Sequence, residues 1–170
     1  LAVRGNYVYV ASKNNSEELQ IVDVSNPTNS TQIASYNANG NADGLGVAAT
    51  GTIVLLGRAA SSQAEFFLLN AATPTSLTLF GSLDFGSNST VHEVTVVGRY
   101  AYLGLVNNGE GELKVVDIAT PTSPTVAATL SKRMGCGECS GRGSAAGFAW
   151  GPQAASVTTA ETAARSASAN

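Results

Sequence analysis

One feature limits this chain more than any other: its first 131 residues repeat themselves every 47 residues. Leu-Gln-Ile-Val-Asp-Val at 19–24 returns as Leu-Lys-Val-Val-Asp-Ile at 113–118, and Phe66-Phe67-Leu68-Leu69-Asn70-Ala71 is a weaker copy midway. Asp23, Asn70 and Asp117 are 47 apart, as are Pro27, Pro74 and Pro121. Gly5, Gly51 and Gly98 step by 46 and then 47, which places a single-residue indel between the first two copies. A repeat of this length is one supersecondary unit that buries its apolar faces by stacking on its neighbours.

Each copy holds four strand-like runs. In the third they are His92–Val97, Tyr100–Leu105, Leu113–Ile118 and Thr125–Leu130. The runs are short, β-branched or aromatic, and partly alternating, as half-buried strands require. Gly5-Asn6, Gly51-Thr52 and Gly98-Arg99 join the first two runs. A Gly-X pair there predicts a two-residue type II′ hairpin, because Gly accepts a positive φ. The next loop, Ser12 to Glu17, Ala59 to Ala64 and Asn107 to Glu112, differs from copy to copy.

The third connection carries Asp23 and Pro27, Asn70 and Pro74, then Asp117 and Pro121. An Asp or Asn can accept backbone N–H bonds and start a turn, and the Pro then blocks strand continuation. Their constant placement makes these six residues structural turn residues rather than ligands. Four strands at this period predict an all-β, β-propeller-like chain of three four-stranded blades, at 1–43, 44–90 and 91–131. An open sandwich would not predict so constant a spacing. Three blades do not close a ring, since propellers carry about four to eight. Leu1 aligns with Val94, so the first copy lacks the start of its first strand. The blades are thus expected to belong to a longer propeller or to half of a ring completed by a second chain.

Composition narrows the function. Only 12% of residues are charged, the net charge is -3, and the only adjacent basic pair is Lys132-Arg133. Nucleic-acid binding needs clustered positive charge, so it is not expected. No apolar run is long enough for a transmembrane helix. The chain opens directly into strand-like sequence without a leader pattern, which reads as a mature product or a fragment.

Gly5-Asn6-Tyr7-Val8-Tyr9-Val10 followed by Leu19-Gln-Ile-Val-Asp-Val-Ser-Asn-Pro27 resembles the LVIVD-repeat family. The third copy matches through Gly98-Arg-Tyr-Ala-Tyr-Leu103, Leu113-Lys-Val-Val-Asp-Ile118 and Pro121 to Pro124. The middle copy departs, with Ile53-Val54-Leu55 in place of Tyr-x-Tyr and Leu68-Leu69-Asn70 in place of Ile-Val-Asp. The resemblance covers roughly 1–131 and implies a bacterial or archaeal propeller of the cell surface or secreted space. It brings no catalytic residue.

After Leu130 the composition changes. Ten of the thirty residues 141–170 are Ala, and alternation stops. Residues 132–170 read as a flexible or weakly helical Gly/Ala/Ser-rich tail, as a linker, or as out-of-frame sequence. Within them, Cys136-Gly-Glu-Cys139-Ser-Gly141-Arg-Gly143 has the spacing of half a zinc site. A closed site needs four ligands, so Cys136 and Cys139 are a candidate metal pair set against an incidental role or a disulfide.

The repeats offer one further candidate. His92 and Glu93 open the first strand of the third blade, aligned with Leu45-Gly46, and Asp43 and Asp84 lie in the segments leading into first strands. His92, Glu93 and Asp43 are the candidate ligand-binding residues at a channel mouth. Neighbours on a regular strand point to opposite faces, which argues against His92 and Glu93 acting together. Tyr7, Tyr9, Tyr100 and Tyr102 read as inter-blade packing rather than a carbohydrate platform. No nucleophile elbow, phosphate loop or calcium loop stands out, and no cofactor is expected. The function expected is a non-enzymatic, surface or secreted repeat module that binds a protein or a glycan. The alternatives are an enzyme or metal site at the channel mouth and a structural unit of a surface assembly.

Overall fold

The computed structural model describes residues 1–86, 88–106, 112–130 and 157–159. Strands β1 (Ala2–Arg4), β2 (Tyr7–Ala11), β3 (Leu19–Asp23) and β4 (Thr31–Tyr36) form one sheet, paired in chain order. Strands β5 (Gly44–Thr50), β6 (Ile53–Arg58), β7 (Phe66–Asn70) and β8 (Thr78–Leu83) form the second. Strands β9 (Thr90–Val97), β10 (Tyr100–Val106), β11 (Leu113–Asp117) and β12 (Thr125–Leu130) form the third, with β13 (Val157–Thr159) antiparallel on its outer edge. Every described pairing is antiparallel, so each sheet is a simple meander. The remainder of 132–170, including Cys136 and Cys139, lies outside the described residues.

The register repeats with the sequence. Arg4 pairs with Tyr7, Thr50 with Ile53 and Val97 with Tyr100, leaving two loop residues each time. The first of them, Gly5, Gly51 or Gly98, has φ of 56°, 52° or 60°, a region open to Gly at no steric cost. Thr and Arg at the second place suit a type II′ turn, whose second residue keeps a negative φ. The carbonyl of that residue (Asn6, Thr52 or Arg99) accepts the N–H of Val24, Ala71 or Ile118, tying each hairpin to the end of the third strand.

The third connection is equally regular. Asp23, Asn70 and Asp117 each accept the backbone N–H two residues on, at 2.8–2.9 Å. A turn then places Pro27, Pro74 or Pro121 second, closed by N–H to carbonyl bonds of 2.9 Å from Asn29 to Asn26, Ser76 to Thr73 and Ser123 to Thr120. A fixed φ near −65° suits Pro to that place. The fourth strand carries a β-bulge at the same place in every sheet, leaving Ile33, Phe80 and Ala127 unpaired.

Packing turns three similar sheets into one body. The first strands lie side by side: β5 touches both β1 and β9. One core joins sheets one and two through Tyr9, Leu19 and Ile21 on one side and Val47, Val54, Leu56, Phe67 and Leu69 on the other. A second joins sheets two and three through Leu55, Phe66 and Leu68 against Val91, Val94, Ala101, Leu103 and Val116. Sheet two is therefore covered on both faces, which accounts for its departure from alternation. Ile53-Val-Leu-Leu56 and Phe66-Phe-Leu-Leu69 are continuous apolar runs because successive side chains enter different cores. This is an incomplete, propeller-like arrangement of three blades with the first strands innermost.

Candidate functional site

In a meander, the first and third connections lie at one end of the sheet and the second lies at the other, with the crossings to the next sheet. One end of the molecule thus carries the Gly hairpins and Asx-Pro turns. The opposite end carries the loops 12–18 and 59–65, Glu112, the crossing 37–43 and the described residues between Leu83 and Thr90. His92 and Glu93, near the start of β9, and Asp43, just before β5, all belong to this second end.

His92 is the unpaired residue of a β-bulge: Gly104 pairs with Glu93 and Leu105 with Val91. Leu45 is skipped in the same way in β5. The extra residue breaks strict alternation. His92 and Glu93 are both exposed, between the buried Val91 and Val94. The regular alternation on which the expectation of opposite faces rested is interrupted at this place. Asp43 is half-buried, and its carbonyl accepts the Ala59 N–H at 2.9 Å. Among the described residues no group of three or more His, Cys, Asp or Glu side chains is gathered for a metal ion.

The most concentrated chemistry at this end lies beneath the loops, in residues the sequence reading passed over. Glu18, Glu65 and Glu112 precede the third strand of each copy at the 47-residue step. Their carbonyls accept the N–H of Ser12, Arg58 and Leu105 at 2.8–2.9 Å. The side chains of Glu18 and Glu65 accept the N–H of Ala38 (3.0 Å) and Phe85 (2.8 Å), which are again 47 apart. A buried carboxylate in the loop thus fastens the crossing to the next blade, supplying an acceptor the backbone lacks there.

Arg58 adds a charge to one of these junctions. It is fully buried and donates to Glu18 Oε1 at 3.2 Å, to the Asn39 carbonyl at 3.2 Å and to the Ala42 carbonyl at 3.4 Å. Its guanidinium carbon lies 5.4 Å from the Phe67 ring centre. Burial pulls the Arg58 pKa below its ordinary value, and the charges of Glu18 and Glu65 oppose that pull. Burial likewise raises Glu65, opposed chiefly by the Phe85 N–H, and raises Tyr36. Arg58 Nη1 and Glu65 Oε1 are buried without a hydrogen-bond partner among the described residues. The 47-residue period could have revealed the glutamates. It could not have revealed Arg58, whose counterparts are Ser12 and Leu105.

The arrangement presents exposed loop residues and an exposed His-Glu pair above a buried, charged floor in which Arg58 and Glu18 are paired. Repeated four-stranded meanders with their first strands packed side by side define a β-propeller-type repeat protein. The family model of the LVIVD repeat matches residues 1–38 and 90–130, the first and third sheets, which are similar to that repeat. Comparison with curated proteins yields no match. Among the described residues no helix is long and apolar enough to cross a membrane.

Proposed function

We propose that this chain is a non-enzymatic module of the cell surface or secreted space, which binds a protein or a glycan through its loop-bearing end. One observation carries this reading: the two ends of the blades differ. The hairpin end repeats the same turns three times, with the same hydrogen bonds. The loop end sets different sequences on the same frame, Lys13-Asn-Asn-Ser16 in one blade and Ala60-Ser-Ser-Gln63 in the next. Variable loops on a constant scaffold are the ordinary design of a recognition surface. His92 and Glu93, exposed at this end, are the side chains closest in kind to a ligand contact.

Binding to a glycan array and to intact cells tests the reading. Lys13→Ala and Gln63→Ala, both at exposed loop positions, are expected to weaken binding. Thr122→Ala, at an exposed position of the opposite end, is expected to leave it unchanged. Binding that follows Thr122 and ignores the loops would place recognition at the other end and overturn the proposal.

A further inference from the structure

The crossing between β4 and β5 contains Asn39-Gly40, the one Asn-Gly pair among the described residues. Such a pair is chemically fragile. The peptide nitrogen of the Gly can attack the side-chain amide of the Asn, because no Cβ hinders the approach. The structure leaves this pair open to that reaction. Asn39 and Gly40 are both exposed to water. No hydrogen bond among the described residues holds the Asn39 side chain or the Gly40 N–H. Gly40 has φ of 98°, and the place its Cβ would take has only Gln63 Cγ at 3.5 Å and Arg58 Nη2 at 3.8 Å near it. At Asn15-Ser16, by contrast, the neighbouring N–H is occupied: Ser16 donates to Asn14 Oδ1 at 3.1 Å.

Arg58 adds an activating contact. Its Nη2 donates to the Asn39 carbonyl oxygen at 3.2 Å. That oxygen and the Gly40 N–H belong to one peptide group. When the N–H gives up its proton, the negative charge spreads onto the same oxygen, where the guanidinium already points. Arg stays protonated at neutral pH. A preorganised donor at the atom where charge develops lowers the barrier to forming it. Glu18 and the Ala42 carbonyl fix the guanidinium in this position. The feature belongs to this crossing. The link between sheets two and three, Asp84 to Ser89, has no Asn before a Gly, and Leu105 stands in the place of Arg58.

We propose that Asn39-Gly40 is a self-modifying site, at which Arg58 promotes loss of the Asn39 side-chain amide. The Gly40 nitrogen loses its proton to water and bonds to Asn39 Cγ. The Cγ–Nδ2 bond breaks, and Nδ2 leaves as ammonia after taking a proton from water. Water then opens the cyclic succinimide at either of its carbonyls. One opening gives an aspartate at position 39. The other gives an isoaspartate, whose main chain runs through the side-chain carbon. Nothing is oxidised or reduced. Either product puts a new carboxylate at the loop-bearing end, next to the carbonyl that Arg58 holds. The isoaspartate also lengthens the chain by a methylene between Ala38, which Glu18 holds, and Ala42, which Arg58 holds.

Peptide mapping of the whole chain, with fragmentation that separates aspartate from isoaspartate, tests this. Two samples are aged at neutral pH, one folded and one unfolded in urea. The expected result is conversion at position 39 roughly ten-fold faster in the folded chain, a modest share of what a fully enclosed oxyanion donor supplies. Conversion no faster in the folded chain than in the unfolded one overturns the proposal. Glu18→Gln/Arg58→Met removes the donor together with its charged partner, and circular dichroism reports whether the variant folds. In the folded variant the gain should vanish, and conversion as fast as in the folded parent overturns the role of Arg58. Should the variant not fold, the comparison of folded and unfolded parent decides alone.

Discussion

Glu18→Ala is the most revealing single substitution, because Glu18 supports two groups at once. Its Oε2 accepts the Ala38 N–H and its Oε1 accepts from Arg58, with both side chains at 0% exposure. Truncation strands a buried guanidinium, and removing one partner of a buried ion pair costs about 3–5 kcal/mol. The Ala38 N–H would also lose its acceptor, at about 1–3 kcal/mol for a buried group. The two losses overlap, and the Asn39 and Ala42 carbonyls continue to hold Arg58 in part. A net loss of about 4 kcal/mol is therefore expected, roughly a 10 °C fall in Tm. Glu18→Gln keeps an acceptor for Ala38 and is expected to cost about half as much. In the double variant Glu18→Gln/Arg58→Met both charges of the pair are gone, and stability should return part of the way toward the parent, since buried pairs are often replaceable by apolar packing while Glu65 nearby loses the cation that faced it. Urea unfolding with a constant m value reads these differences. Arg99→Ala, which breaks the exposed pair between Arg99 and Asp117, serves as the control and should shift the midpoint far less. A Glu18→Ala midpoint within about 1 kcal/mol of the parent would refute the view that this carboxylate fastens the first crossing.

Three further outcomes follow from the same contacts. Gly57→Ala should destabilise by about 1–3 kcal/mol in the same unfolding assay, because a Cβ there would come within 2.6 Å of Val91 Cγ1 and 2.9 Å of the Val91 carbonyl across the second junction. Asn70→Ala should cost about 1 kcal/mol and Asn70→Asp much less, since the lost contact is the acceptor for the Ala72 N–H. Glu65 binds its proton more tightly in the folded state because burial raises its pKa. Stability should therefore rise as pH falls from that raised value toward the ordinary glutamate value, and denaturation midpoints of Glu65→Gln across this range should lack that rise.

Much of the scaffold is legible in the residues because it is written three times. Hairpin glycines, Asx-Pro turns and strand runs recur in register, so each copy corroborates the others, and the fold class follows. The first strand of the third blade begins at Thr90, two residues before the expected start at His92, although Thr90 and Val91 are both β-branched. Positions that break the repeat or depend on a neighbouring sheet are harder to read. Sheet two loses its alternation only because both its faces are covered, a fact of packing rather than of local propensity. The bulge at His92 changes which side chains are exposed without any Gly or Pro to announce it. Arg58 looks like the exposed end of a strand until two blades close around it, and Glu18 and Glu65 look like loop carboxylates until the crossing twenty residues on folds back to them. The candidate site is thus half legible: its loops and its His-Glu pair are, and the charged floor beneath them is not.

Three equivalent sheets arranged around an axis differ measurably from three in a straight row. Spin labels placed in pairs at Asn6, Thr52 and Arg99, equivalent hairpin positions of the three sheets, test it by distance. An arc around an axis gives equal separations for 6–52 and 52–99, and a 6–99 separation about 1.7 times as long for six blades, or about 1.4 to 1.85 times for four to eight. A ratio of about 2 would mean a straight stack, and the propeller reading would fall.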